Sequence, residues 1–128
     1  MKTLIKILLV ILTCTVIIIA GGIFYITRGL SEGEILKIDS IKYISIKDGK
    51  YIGDYKNGRF SNEVEVDIKN GKISKIVALK TVLIERSDVT DKLFSEVIEK
   101  QDTDIDIVSG ATVTSKAYLK SIEDAIIK

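Results

Sequence analysis

Residues 63–69 alternate strictly between apolar and charged side chains. This period of two predicts a β-strand with one buried face and one solvated face. Asn70 and Gly71 follow, a pair suited to positive φ at both central positions of a type I′ turn. An apolar, β-branched segment comes next, so the pattern predicts a β-hairpin over residues 62–81.

A second turn signal, Asp48-Gly49, lies upstream of this hairpin. Aromatic and β-branched residues flank it on both sides, at residues 43–46 and at residues 51–55. Such a pattern is typical of two strands joined by a short connection. It predicts a preceding hairpin in the same antiparallel sheet.

After Arg86 the hydrophobic period changes from two to about 3.6, which predicts a helix. Ser87 or Asp88 is placed to cap its start. The apolar stripe of this helix consists of Val89, Leu93, Phe94, Val97 and Ile98. A stripe of this width is expected to pack on the sheet.

A second helix is predicted over residues 115–127. Its inward side is expected to present Leu119, Ile122, Ala125 and Ile126. Its solvent side is expected to present Lys116, Lys120, Glu123 and Asp124. The predicted fold class is therefore α+β, with an N-terminal transmembrane helix followed by a small domain whose antiparallel sheet packs against two helices.

Residues 7–27 form an uninterrupted uncharged run dominated by Ile, Leu and Val. A helix of that length spans roughly 30 Å, the thickness of a bilayer core. Lys2 and Lys6 flank the run on its N-terminal side, which favours a single-pass protein of the cell membrane with its N-terminus in the cytoplasm and its domain outside. Residues 1–28 are predicted to be the anchor, 29–41 a linker or short helix, and 42–128 the folded domain.

The apolar segment has two alternative interpretations. A cleaved signal peptide is disfavoured because the run is longer than a usual apolar core and lacks a small-x-small cleavage site. Lipoprotein processing at Cys14 is disfavoured because Thr13 is a poor residue before the cysteine and apolar sequence continues beyond it. An uncleaved anchor with a lipid-facing cysteine is the preferred interpretation.

Composition excludes several chemistries. The chain has no histidine, and its single cysteine lies in the apolar run, so a catalytic triad, a histidine-ligated zinc and a haem-attachment motif are ruled out. The charges of the 19 basic and 18 acidic residues nearly cancel, so the composition gives no indication of a basic surface that binds nucleic acid. Any redox group must therefore be supplied by a cofactor.

The connector between the two predicted helices is rich in hydroxyl groups and opens onto a helix. It reads Asp106-Ile107-Val108-Ser109-Gly110-Ala111-Thr112-Val113-Thr114-Ser115. Gly110 and Ala111 allow a bulky group to approach the backbone, and the amide groups at a helix start favour a phosphate. From the residues alone, this loop is an anion-friendly turn, with simple helix capping by its hydroxyl side chains as the alternative.

The connector also matches the pattern D-x-x-[ST]-G-A-T through Asp106, Ser109, Gly110, Ala111 and Thr112. Two landmarks precede it in the expected order, Asp48-Gly49-Lys50-Tyr51-Ile52-Gly53 and Asn70-Gly71-Lys72-Ile73. Over residues 45–127 the chain thereby resembles the FMN-binding domain family, which includes the C subunit of the sodium-pumping quinone reductase and the G subunit of its Rnf relative.

The resemblance implies that FMN is attached covalently to Thr112 through a phosphoester. A separate magnesium-dependent flavin transferase delivers the FMN from FAD, so Thr112 is a substrate of that enzyme and no residue of this chain is catalytic. Asp106 is expected to present the loop to the transferase, unless it is merely solvated or flanks a helix. Ser109 is expected to bond the loop or the phosphate. The other predicted cofactor-binding residues are Gly110, Ala111, Thr114 and Ser115, and Thr114 is also placed to cap the last helix.

One segment departs from the family pattern. Relatives often carry an H-x-E-T-P-G-like segment between the hairpin and the first helix, whereas residues 80–87 offer only Glu85 as an equivalent. The resemblance therefore does not define which residues of this segment contact the flavin. Aromatic candidates for stacking on the flavin are Tyr51, Tyr55, Phe60 and Tyr118.

The predicted function is a membrane-anchored extracytoplasmic electron carrier whose flavin supplies the redox chemistry. Its expected partners are the flavin transferase, a membrane electron donor such as a quinone- or NADH-linked redox complex, and membrane lipid. Two alternatives remain open. One is an anchored flavin reductase that acts directly on an extracellular acceptor, and the other is a non-redox anchored binding module.

Overall fold

The computed structural model describes residues 1–41, 45–107 and 110–128. The helices are α1 (Lys2–Thr27), α2 (Leu30–Ile35), α3 (Ser87–Lys100) and α4 (Thr112–Ile127), and the strands are β1 (Gly49–Tyr55), β2 (Asn62–Lys69) and β3 (Lys72–Lys80). A single 3₁₀ turn over Gly58–Phe60 joins β1 to β2 in this part of the chain. The three strands form one antiparallel sheet in the order β1-β2-β3. The predicted α+β fold class is confirmed.

The predicted hairpin is strands β2 and β3. Along β2 the side chains alternate between buried and half-exposed, as the period of two predicts. Asn70 and Gly71 have φ of 54° and 69°, the positive values that a type I′ turn requires. The buried face of this hairpin supplies the sheet side of the core.

The predicted upstream hairpin is not formed by the described residues. Residues 43 and 44 of its first strand lie outside the described residues, and residues 45–47 form no strand. The second predicted strand is β1, which pairs with β2. A carboxylate oxygen of Asp48 accepts a hydrogen bond from the amide of Gly71 at 2.9 Å, which ties the chain before β1 to the β2–β3 turn. This bond favours a bend at Asp48 over continued strand pairing.

Helix α3 packs on the sheet with the predicted stripe. Val89, Leu93, Phe94 and Val97 are buried, and Ile98 packs against the core. The predicted capping residues were wrong, because the helix begins after Arg86 without a side-chain cap. Asp88 instead pairs with the guanidinium of Arg86 at 3.0 Å.

Helix α4 lies across β1 and β2, and its predicted inward side is confirmed. Leu119, Ile122, Ala125 and Ile126 are buried. The helix begins at Thr112, three residues before the predicted start, so the prediction that Thr114 caps it was wrong. Ala111 is at the N-cap position and makes no side-chain hydrogen bond there.

Glu123 was predicted to face solvent, and this was wrong. Its carboxylate accepts a hydrogen bond from the amide of Asp39 at 2.5 Å and pairs with the Lys120 ammonium at 2.6 Å. These two partners allow a carboxylate to lie under the chain that precedes the sheet. Burial raises the pKa of Glu123, and the hydrogen bond to Glu123 raises the pKa of Lys120.

Helix α1 has 26 residues, none of them buried. Its most apolar window has a mean hydropathy of 2.9, so α1 is long and apolar enough to cross a membrane. The helix ends at Thr27, and the chain turns at Gly29, whose φ is 89°. Only Arg28 and Gly29 therefore separate α1 from α2.

Residues 29–41, predicted as a linker, include helix α2 and an extended segment that is attached to the domain. Ile41 is buried in the core. Asp102 accepts hydrogen bonds from the Ser40 hydroxyl at 2.8 Å and from the Ile41 amide at 3.0 Å. Although burial alone would raise the pKa of Asp102, these bonds and those from the Asp104 and Thr103 amides hold it below its ordinary value of 3.8.

Replacing Asp102 with alanine should destabilise the domain by about 2 kcal/mol, because the buried amide of Ile41 would lose its acceptor. Since the pKa of Asp102 is lower in the folded chain, its contribution should be present above pH 3.8 and lost as the pH falls below that value. Thermal unfolding of the full-length chain in detergent, followed by circular dichroism across this pH range, measures both effects. Asp104→Ala is the control, because Asp104 is exposed. Equal loss in the two variants would contradict the assigned role.

Candidate functional site

A cavity of about 580 Å³ lies at the N-terminal end of α4. Its walls come from α2, the 3₁₀ turn, the loop before α3, the first turn of α3, and the start of α4 with the two residues before it. The lining residues are Leu30, Glu34, Arg59, Phe60, Ile84, Arg86, Val89, Gly110, Ala111, Thr112, Val113 and Thr114. A volume of this size lies within the range of small-molecule and cofactor sites.

Thr112 is the first residue of α4, and its side chain is exposed at the cavity wall. The first hydrogen bond of the helix runs from the amide of Ser115 to the carbonyl of Ala111 at 2.9 Å. The three amides before Ser115 therefore have no acceptor within the helix. No acidic residue occurs in this first turn, and the one acidic residue among the described residues that lines the cavity, Glu34, belongs to α2. The site is suited to an anion beside the Thr112 hydroxyl.

Gly110 lies two residues before the first residue of α4 and has a φ of 81°. This value is in the left-handed region, which residues with a Cβ rarely adopt. A Cβ added there would meet no described atom within 4 Å. The glycine is thus required by the backbone conformation of the loop, and the space beside it is open to a bulky group.

Arg59 provides a cationic wall of the cavity. Its Nε is buried and has no hydrogen-bond partner among the residues that the structure describes. The guanidinium carbon lies 4.5 Å from the centroid of the Phe60 ring, within cation–π distance. A buried guanidinium nitrogen without an acceptor favours a ligand with an anionic or carbonyl oxygen.

The loop over residues 81–86, here named the β3–α3 loop, forms the wall opposite α4. Ile84 and Arg86 contact the cavity from this loop. The loop is held at two points: the amide of Val82 donates to the Tyr118 hydroxyl at 3.3 Å, and the amide of Leu83 donates to the Arg59 carbonyl at 2.9 Å. Burial raises the pKa of Tyr118, so its hydroxyl stays neutral at physiological pH.

The predicted site residues are only partly brought together. Gly110, Ala111, Thr112 and Thr114 line the cavity. Ser115 is fully buried, and its hydroxyl has no partner among the described residues. Asp106 is exposed on a separate groove along α3, and Ser109 lies outside the described residues.

Of the four aromatic candidates, Phe60 alone lines the cavity. Tyr118 is buried in the core, where its ring packs edge-on against Phe94 at 5.5 Å. Tyr51 packs against the same core, and Tyr55 packs beside Phe60. An aromatic contact to a cofactor in this cavity would therefore come from Phe60.

Sequence reasoning missed the contributions of Leu30, Arg59 and Arg86. These residues come from three separate segments that converge only in the folded chain, and none belongs to a motif. The departure of residues 80–87 from the family pattern was the available signal, since this segment supplies Ile84 and Arg86 to the cavity.

The chain was compared with protein-family models and with curated proteins. The model of the FMN-binding domain matches residues 21–127, which covers the sheet, all the cavity walls and the end of α1. The search of curated proteins gave no significant match. Because the family model covers most of the chain and includes the cavity at the start of α4, the chain belongs to the FMN-binding domain family.

Proposed function

We propose that this protein is a membrane-anchored electron carrier that holds FMN through a phosphoester to Thr112. The observation that carries the proposal is the position of Thr112, an exposed residue that begins α4 and lines the cavity. Membership of the FMN-binding domain family supports FMN as the cofactor. The match to the D-x-x-[ST]-G-A-T pattern supports Thr112 as the attachment residue.

The residues of the cavity fit FMN. The free amides at the start of α4 suit the phosphate. Phe60, Ile84 and Val89 supply apolar surface for an aromatic ring system. Arg59 supplies a guanidinium nitrogen that lacks a partner among the described residues. When bound, the isoalloxazine provides the electron chemistry that no side chain of this chain can provide.

Attachment requires a separate flavin transferase that uses FAD and magnesium. The Thr112 hydroxyl oxygen forms a new bond to the phosphorus of the FMN half of FAD, and the phosphoanhydride bond breaks. AMP leaves, and the hydroxyl proton passes to a base of the transferase. The exposure of Thr112 gives the transferase access to the hydroxyl. A covalent bond also prevents loss of the cofactor from a protein outside the cell.

The proposed orientation places the N-terminus in the cytoplasm and the domain outside. Lys2 and Lys6 precede the apolar run, and positively charged flanks are retained in the cytoplasm. The proposed electron donor is a quinone- or NADH-linked complex of the same membrane.

Co-expression with an active transferase tests the function. The purified chain should keep its visible flavin absorbance after denaturation, and it should exchange electrons with a membrane donor while turning over soluble acceptors slowly. A colourless chain would favour a non-redox binding module. Rapid turnover of a soluble acceptor would favour a flavin reductase. Either result would overturn the carrier proposal.

Arg59→Gln should change either the midpoint potential of the flavin or the yield of covalently attached flavin. If the guanidinium lies beside the isoalloxazine, its loss should lower the midpoint potential by about 30 mV, the equivalent of about 1.4 kcal/mol for two electrons. If it lies beside the phosphate, the yield of covalent flavin should fall instead. Lys80→Gln is the control, because Lys80 is exposed and does not line the cavity. Unchanged potential and unchanged yield in Arg59→Gln would contradict the assignment.

A further inference from the structure

We propose that the β3–α3 loop enters the headgroup layer of the outer leaflet through Leu83, so that the cavity lies at the membrane surface. This inference rests on the proposed anchoring of the chain by α1. In this proposal the exposed apolar side chain of Leu83 is covered by the lipid surface and not by a partner protein.

The 3₁₀ turn lies directly on the end of α1. The open side of Gly58 faces the carbonyl oxygen of Arg28, where an added Cβ would lie 3.2 Å from that oxygen. Gly29 approaches Asn57 more closely, since a Cβ there would lie 2.6 Å from the side-chain oxygen of Asn57. Asn57 also donates a hydrogen bond to Glu32 at 2.7 Å. These contacts leave little freedom for the domain to move away from the end of the helix.

The length of α1 places this junction at the membrane boundary. Its 26 residues span about 39 Å, compared with about 30 Å for the hydrocarbon core and 40–45 Å with the headgroups. When Lys2 and Lys6 lie in the cytoplasmic headgroup layer, Thr27 lies at the outer edge of the core. The 3₁₀ turn that contacts Arg28 must then lie within the outer headgroup layer.

Leu83 is held next to this turn. Its amide donates to the carbonyl of Arg59, the residue that follows Gly58. Its neighbour Val82 is buried and bonded to Tyr118, so the loop is fixed in place. The Leu83 side chain is 61% exposed and does not line the cavity, whereas Ile84 does. A largely exposed leucine that belongs to neither the core nor the cavity wall is suited to the apolar boundary of a bilayer.

Electrostatic attraction to anionic lipid is not what holds the β3–α3 loop at the membrane in this proposal. Arg28 and Arg86 belong to the segments that meet at the 3₁₀ turn and the β3–α3 loop, but Glu32, Glu34 and Glu85 belong to the same segments. Attraction to anionic lipid is therefore weak, and the apolar contact of Leu83 should dominate. One consequence is that a donor dissolved in the membrane, or moving along its surface, meets the cavity without a large movement of the domain.

A tryptophan probe tests the proposal, because the chain has no tryptophan. The full-length Leu83→Trp variant is placed in phosphatidylcholine nanodiscs, with plain lipid or with lipid brominated near the headgroups. The control is Ile52→Trp, on the outer face of β1, where Ile52 is 51% exposed. We expect blue-shifted emission from Leu83→Trp and quenching by brominated lipid about twofold stronger than for the control.

Red-shifted emission from Leu83→Trp, with quenching no stronger than that of Ile52→Trp, would overturn the proposal. A blue shift that occurs only after a membrane protein extract is added would also overturn it, in favour of a protein partner. Retention of the chain in the nanodiscs is measured separately by gel filtration, and flavin loading of the same preparation by absorbance. A failure of anchoring or of flavin binding is thereby distinguished from a failure of this inference.

Discussion

Thr112→Ala should abolish covalent flavin attachment, whereas Thr114→Ala should leave it intact. Both hydroxyls belong to the first turn of α4 and line the same cavity, but they differ in exposure. Thr112 is exposed, and Thr114 is half-buried two residues further along the helix. An incoming phosphoryl group held by the first amides of α4 is therefore expected to meet Thr112 first.

The two variants are matched for fold. Alanine is a good helix former, so neither change should weaken α4, and circular dichroism should show an unchanged helix content. After co-expression with the transferase, flavin that survives denaturation should be present in wild type and Thr114→Ala and absent from Thr112→Ala. Loading of Thr112→Ala, or loss of loading only in Thr114→Ala, would contradict the assignment.

The second large effect is expected at Gly53, in the middle of β1. A Cβ at this position would overlap the backbone of α4 at the carbonyl oxygen of Ser121 and the amide nitrogen of Ala125. Backbone atoms of a packed helix cannot turn aside as a flexible side chain can. Gly53→Ala should therefore force α4 away from the sheet and destabilise the domain by about 3 kcal/mol.

The matched control is Ile52→Ala in the same strand. Ile52 lies on the outer face of the sheet and is exposed, so its loss should cost less than about 0.5 kcal/mol. Thermal unfolding of the full-length chain in detergent compares the two variants. Equal stability of Gly53→Ala and wild type would show that α4 and β1 are not in the close contact described here.

Local patterns predicted the elements whose structure is determined locally. The alternation in β2 and the Asn70-Gly71 pair predicted the hairpin, since strand period and positive φ depend on neighbouring residues only. The stripe of α3 was predicted for the same reason. In contrast, the bend before β1 includes Asp48, which accepts a hydrogen bond from Gly71 in the β2–β3 turn. A contact between residues so far apart in the chain leaves no local pattern.

The candidate site was predictable where it depends on one loop. Gly110, Ala111, Thr112 and Thr114 were predicted together, and all four line the cavity, as does Val113, which was not predicted. The opposite walls come from Leu30, Arg59 and Arg86, which are brought to α4 by tertiary packing alone. Likewise, Glu123 was predicted to be solvated because its charge suggested exposure, whereas Asp39 and Lys120 satisfy it in the fold.

Mass spectrometry of the denatured chain tests most directly the proposed covalent bond between FMN and Thr112. After co-expression with a transferase that is active on another acceptor domain, the mass of the chain should rise by one FMN less one water. Fragmentation should place the addition on the peptide of residues 106–116 and, within it, on Thr112. An unmodified mass, or an addition located on Thr114, would contradict the account.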